Sequence, residues 1–428
     1  ASRTHSLAPT QNLAPTEPPA LPYSPDQQRA RPLPLYSQIL DGLSRDANRL
    51  AGVNHRLFGR EVGVGFNALN PGLARGTLHV EPDLSEMSTF RADGIYVLPE
   101  TVSDLPPVAG ILTAGEGNPL SHVQLLARNL GIPNVTVSAE RIAELAEHDG
   151  EEIVLAVSRA GLVEIAPWEG RWTAIFEAQE AAGGVVIRPD LDKLDLTVRR
   201  FVPMDELRAG DSGRIVGPKA AKLGELHKHY PEKVSRGVAI PFGLFRQAAL
   251  ERQRPGHEET IWDWMTAAYE RLEAMPEGSD ERSQATEAFR AELYQTILDT
   301  PLGPEFRSAL STALTGAFGD DGLPGLFVRS DTNVEDLAGF TGAGLNLTLP
   351  NVVGLDNLVE AIAQVWASPF TARAFGWRQS HMTAPEHVYT SILLLEAVAS
   401  DKSGVLVTQD IDTGDPGVIS VACLLYTS

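Results

Sequence analysis

Between residues 61 and 167 short Val/Ile/Leu-rich runs recur at Gly94–Leu98, Val108–Leu112, Ile153–Val157 and Gly161–Ile165, with short helical patterns between them. Runs of this length read as strands, and their alternation with helical periods restricts the segment to a compact α/β domain. Beyond Phe201 a second, larger α/β unit is expected, running to residue 422. The flanks read differently. Residues 1–35 hold eight of the 30 prolines and show no period, which is the composition of a semi-extended linker. From Leu35, the residues Ile39, Leu43, Ala47 and Leu50 form one amphipathic stripe, so 36–60 is expected as a helical segment. Residues 168–198 carry an Ala/Glu helix followed by Gly183-Gly184 and Pro189, which suits a hinge.

Composition narrows the function classes. A chain of 428 residues is long enough for two or three domains. Its net charge of -21 repels phosphate backbones and anionic lipid, which argues against a general nucleic-acid or membrane-surface binder. The single cysteine, Cys423, can form neither an internal disulfide nor a Cys-rich zinc site. The longest uncharged stretch, Leu337 to Leu355, contains Gly339, Gly342, Gly344 and Pro350 and reads as loop and strand rather than a membrane span. No secretory leader is legible, and a soluble, cytoplasmic protein is expected.

The run Thr113 to Val135 carries the clearest local signals. Val123, Leu126, Ala127 and Leu130 fall on one helical face, Ser121 suits the N-cap, Gly131 suits the left-handed position past the helix end, and Pro133 blocks continuation. His122 then stands in the first turn, where free N–H groups and the positive end of the dipole favour an anion or a phosphate carried on the ring. The competing reading is a surface or packing histidine.

Two further clusters point to phosphate. In Val216–Leu226, Pro218 suits the first turn of a helix, and Lys219 beside it faces the unfavourable end of the dipole unless an anion or solvent offsets it. In Leu326–Ser330 a buried strand ends in Arg329 and Ser330 and opens into a Gly-rich loop that includes Gly342, a geometry able to present N–H groups and a guanidinium to phosphates. The alternatives are a solvated Lys219 and an Arg329 paired with Glu335 or Asp336.

Together these segments resemble the PEP-utilising enzymes, the family of pyruvate phosphate dikinase, PEP synthase and the glucan water dikinases. The resemblance rests on Ser121-His122, Ala127-Arg128 and Gly131-Ile132-Pro133, with Asn70–Gly76 and Gly161–Ile165 in support. It extends to Gly217–Leu226, Ala239–Gly243, Val328–Ser330, Glu335-Asp336, Val365–Ala374 and the hairpin-like Ser403–Thr408 and Asp412–Pro416. It implies an α/β chain with a swivelling β/β/α phosphohistidine domain (61–167), a hinge (168–198) and a truncated ATP-grasp domain (199–422). It further implies His122 as phosphoryl carrier and Lys219, Arg329, Ser330, Gly342 and Arg373 as ATP contacts. Leu120–Val123 and the order of the two domains are closer to the glucan water dikinases.

The activity implied is that of an ATP-dependent dikinase, passing the β-phosphate through His122 to a glucan or pyruvate, with ATP as substrate and Mg2+ as cofactor. The Mg2+ ligands are expected beyond residue 428, on a longer chain cut at both ends. A nucleotide-binding or phosphocarrier protein without its own acceptor chemistry is the alternative. Cys423–Ser428 looks like the in-frame translation of a sequencing adaptor, a short natural strand being the other reading.

Overall fold

The computed structural model describes residues 54–63, 65–84, 90–99, 107–114, 127, 131–181, 188–276, 279–319, 323–335, 346–400, 403–408 and 416–424. The chain divides into two compact units, residues 1–55 with 61–64, and residues 56–60 with 65–428. In the first, Asn54 Nδ2 donates to Glu61 Oε2 at 3.3 Å and Val62 is buried. The expected linker 1–35 and the stripe Leu35–Leu50 lie outside the described residues. The described end of 36–60 carries a strand, His55–Leu57, rather than a helix. Buried His55 and Leu57 alternate there with exposed Arg56, a period of two.

Among the described residues the second unit contains two large sheets and a separate two-stranded one. The first includes β1 (Phe66–Asn70), β2 (Gly72–Val80), β3 (Gly94–Leu98), β4 (Gly110–Thr113), β5 (Asn134–Val137), β6 (Glu152–Val157) and β7 (Val163–Pro167). Their order is β7-β6-β2-β3-β4-β5-β1. The central pairs β2/β3, β3/β4 and β4/β5 are parallel, and β6, β7 and β1 join antiparallel. All five residues of β3 are buried, as an unbroken apolar run in a parallel sheet requires. The four expected strands are present within two residues of their expected bounds. Helix α1 (Ala139–Ala146) follows β5, and α2 (Thr173–Ala181) is the expected Ala/Glu helix.

The second sheet is antiparallel: β8 (Val202–Pro203), β9 (Gly237–Ile240), β10 (Leu326–Thr332), β11 (Thr348–Val352) and β12 (Thr390–Glu396), in the order β8-β9-β12-β10-β11. Its helices are α3 (Pro218–His229), α4 (Phe242–Phe245), α5 (Ile261–Glu273), α6 (Asp280–Asp299), α7 (Gly303–Phe318), α8 (Leu355–Ala367) and α9 (Ala372–His381). Ile240, Val328 and Leu394 share one core with Trp264, Phe289, Leu310 and Trp366 of α5 to α8. The alternate residues Ala239 and Leu393 pack with Ala220 and Ala221 of α3. Covering both faces explains why Ile392–Leu395 is apolar without a break. Each leucine buried there contributes roughly 2 kcal/mol.

A third apolar cluster joins the two sheets within this unit. Leu98, Ile111, Ala127 and Ile132 pack with Val334, Trp377, Met382 and Val388. Beyond β12, β13 (Ser403–Val407) pairs antiparallel with β14 (Ser420–Leu424), with Gly404 opposite Cys423. Among the described residues, no helix is long and apolar enough to cross a membrane.

Candidate nucleotide site

The end of the helix expected after His122 follows its sequence signals. Ala127 is helical and buried, Gly131 has φ +67°, and Ile132 N donates to Ala127 O at 2.9 Å, closing the last turn across a left-handed glycine. Asn70 braces this end from β1: its Nδ2 donates to Ala127 O (3.0 Å) and Ile132 O (2.6 Å). His122 itself and its N-cap Ser121 lie outside the described residues.

Helix α3 begins with Pro218 at its first position, as expected, but its N-cap is Gly217, which has no side chain to offer. The capping oxygens arrive from β10. Asp331 Oδ1 accepts from Lys219 N at 3.2 Å and Oδ2 from Ala220 N at 2.8 Å. Gly217 permits this approach, since a Cβ there would lie 2.2 Å from Asp331 Oδ1. Gly217 N donates to Ser391 Oγ (2.9 Å), whose hydroxyl donates to Asp331 O (2.9 Å), so β12 closes the same junction.

One expectation about β10 needs correction. The strand does not end at Arg329 and Ser330 but continues through Asp331 and Thr332, because both pair with β12, at Ser391 and Thr390. Asp331 is fully buried. Burial, and then the charge of Glu335, push its carboxyl up to about 8, against the pull of Lys219 and the two backbone N–H donors.

The same junction holds the Lys219 ammonium. Its Nζ donates to Ser330 O at 3.1 Å and forms an ion pair with the Glu335 carboxylate, whose other oxygen accepts from Asn346 Nδ2 at 3.0 Å. Glu335, one of the two partners considered for Arg329, pairs with Lys219, and the other, Asp336, lies outside the described residues. The side chain of Arg329, half-buried on β10, makes no ion pair or hydrogen bond among the described residues. A half-buried guanidinium with its donors uncommitted is suited to an anion. Ser330 is buried, so its described role is the carbonyl that positions Lys219.

Lys219 is therefore held at Ser330, with Arg329 the preceding residue of the same strand. Arg373 stands half-buried in the first turn of α9, whose Ala374 and Trp377 belong to the cluster joining the sheets. Gly342 lies outside the described residues. That cluster also contains Val334, the neighbour of Glu335, together with Ala127 and Ile132. Asp331, Ser391 and Asn346 were not singled out from sequence. The available signal was a helix start without a capping side chain at Gly217, paired with a carboxylate inside the apolar run of β10. Among the described residues, no group of three or more His, Cys, Asp or Glu side chains could hold a metal ion.

Residues 213–424 match the family described as pyruvate phosphate dikinase, AMP/ATP-binding domain. The chain is similar to rifampicin phosphotransferase of Streptomyces sp, with 31% identity over 201 residues, covering 47% of this chain and 21% of that protein. It is 32% identical over 223 residues to phosphoenolpyruvate synthase of Neisseria meningitidis serogroup B, covering 51% and 26%. With phosphoenolpyruvate synthase of Escherichia coli K12 the identity is 30% over 222 residues, covering 51% and 26%. The chain spans about a quarter of the length of these relatives.

Proposed function

Through residues 213–424 the chain belongs to the PEP-utilising enzyme family and carries its AMP/ATP-binding domain, and from that premise we propose that it is part of a dikinase that uses His122 as phosphoryl carrier. In this reading residues 61–167 are the swivelling phosphohistidine domain, 168–198 its hinge and 199–422 an ATP-grasp domain. The observation that carries the reading is the uncommitted Arg329 guanidinium, on the residue before the Ser330 carbonyl that anchors Lys219. Support also comes from Val334, which shares an apolar cluster with the helix that follows His122.

The chemistry asked of these residues is positioning and charge neutralisation. A neutral His122 nitrogen attacks the β-phosphorus, the N–P bond forms, and the P–O bond to AMP breaks. AMP leaves, and the γ-phosphoryl group passes to water or phosphate. Arg329 and the remaining donor of Lys219 offset charge on the phosphates during transfer. Gly342 and Arg373 complete the proposed ATP contacts. Both Asp331 oxygens accept backbone N–H groups, and Glu335 is held by Lys219 and Asn346, so these carboxylates do not fit a Mg2+ shell.

Two acceptors have support. Leu120–Val123 and the order of the domains favour a glucan, while the phosphoenolpyruvate synthases among the relatives favour pyruvate. Incubation of the whole protein with ATP labelled at the β-phosphate is expected to give an acid-labile protein label that is absent from His122→Ala. Adding soluble starch or pyruvate then moves the label to whichever is the acceptor. Equal labelling of wild type and variant overturns the role of His122.

A further inference from the structure

Away from this junction, the same lobe holds a cavity of about 640 Å3 between α7 and the turn that follows α4. The size is that of a small-molecule site. Leu302 at the N-cap of α7 and Phe306, Ala309 and Ala313 within it line the cavity, spaced by three or four residues along one face. Leu310 and Leu314, on the neighbouring stripe, fill the core, whereas Ala309 and Ala313 stop at Cβ and leave space beside it. Phe201 and Leu244 line the cavity as well, so its walls are mostly apolar.

Three guanidiniums also line it, and they differ. Arg199 is committed to Glu251 through two bonds of 2.9 and 3.0 Å, and Arg200 to Glu206 at 2.5 Å. Arg252 makes no ion pair or side-chain hydrogen bond among the described residues, although its half-buried guanidinium lines the cavity. A cationic donor against an apolar wall without an acceptor is unfavourable unless something supplies one. Its burial accordingly lowers the Arg252 pKa. Glu305, the carboxylate on the lining, is exposed and forms no described ion pair with Arg252.

We propose that this cavity binds a small carboxylic acid with an apolar body, its carboxylate on Arg252 and its body against Phe201, Leu244 and Phe306. One uncommitted guanidinium balances one negative charge, and with Glu305 at the same cavity a phosphate dianion is a poorer match. The site is separate from the Lys219–Arg329 junction and does not depend on the dikinase reading. It also joins Arg199–Phe201, where the chain enters β8, to α7.

The test is calorimetric titration of the whole protein with octanoate and 3-phenylpropionate, against 1-octanol and 3-phenylpropanol as uncharged counterparts. Saturable one-site binding is expected, with each acid at least tenfold tighter than its alcohol. Arg252→Gln removes that preference. Ala309→Leu fills the cavity and blocks acid and alcohol alike, which tests the site without disturbing a charge. Equal affinity for acid and alcohol overturns the proposal, as does the absence of saturation or unchanged binding in Ala309→Leu.

Discussion

The helix that ends at Gly131 and the helix that starts at Pro218 are closed by opposite means. At Gly131 the closure is local: a glycine at φ +67°, a bond from Ile132 N to Ala127 O, and Pro133 immediately after. At Pro218 it is remote: the N-cap is a bare glycine, and the oxygens that cap Lys219 N and Ala220 N come from Asp331, more than a hundred residues on. The local closure shapes a helix. The remote one ties a helix start to a strand end, which sets Lys219 at Ser330, the residue after Arg329. Changes at 217 and 331 should therefore disturb fold and nucleotide site together, and changes at 131 the fold alone.

The largest effect is expected from Gly217→Val. Its Cβ would meet the Asp331 carboxylate at 2.2 Å, so the substitution should destabilise the protein by about 3 kcal/mol and weaken ATP binding, both readable from urea melts with and without ATP. Retained ATP affinity in a folded Gly217→Val protein would break the link between capping and site.

The next effect is a pH slope. The Asp331 pKa rises from 3.8 in the unfolded chain to about 8, so the folded state holds the proton more tightly. The stability associated with this group is full below about pH 4 and declines as pH rises toward 8, by roughly 1 kcal/mol per unit. Asp331→Asn lacks the titrating group, and its melts at pH 5, 6 and 7 should lose less stability with rising pH than those of wild type. Parallel slopes would mean that Asp331 is ionised throughout this range.

The smallest effect is that of Gly131→Ala. Nothing lies within 4 Å of the added Cβ, so the change acts through the positive φ alone and costs about 1 kcal/mol. ATP affinity should stay at the wild-type value. A loss of affinity here would erase the contrast between the two helix ends.

The same contrast explains what was legible in the sequence. The strands at 94–98, 153–157 and 163–167, the helix stop at Gly131 and Pro218 at the start of α3 are encoded by neighbours in the chain, and periodicity and capping residues reveal them. Lys219 and Arg329 were legible one at a time, the first from its unfavourable place on a helix dipole. The Asp331 cap, the Ser391 bridge and the Glu335–Lys219 pair depend on strand pairing between distant segments, which no local pattern encodes. Burial of Asp331 follows from the same pairing, which carried β10 two residues beyond its expected end.

The uncommitted Arg329 guanidinium is proposed to receive ATP phosphates. Equilibrium dialysis of ATP against wild type and Arg329→Ala tests it most directly, with thermal melts of both proteins alongside. Arg329 makes no described ion pair, so the variant should melt like wild type while binding ATP at least tenfold more weakly. Wild-type ATP affinity in the folded Arg329→Ala protein would contradict the assignment.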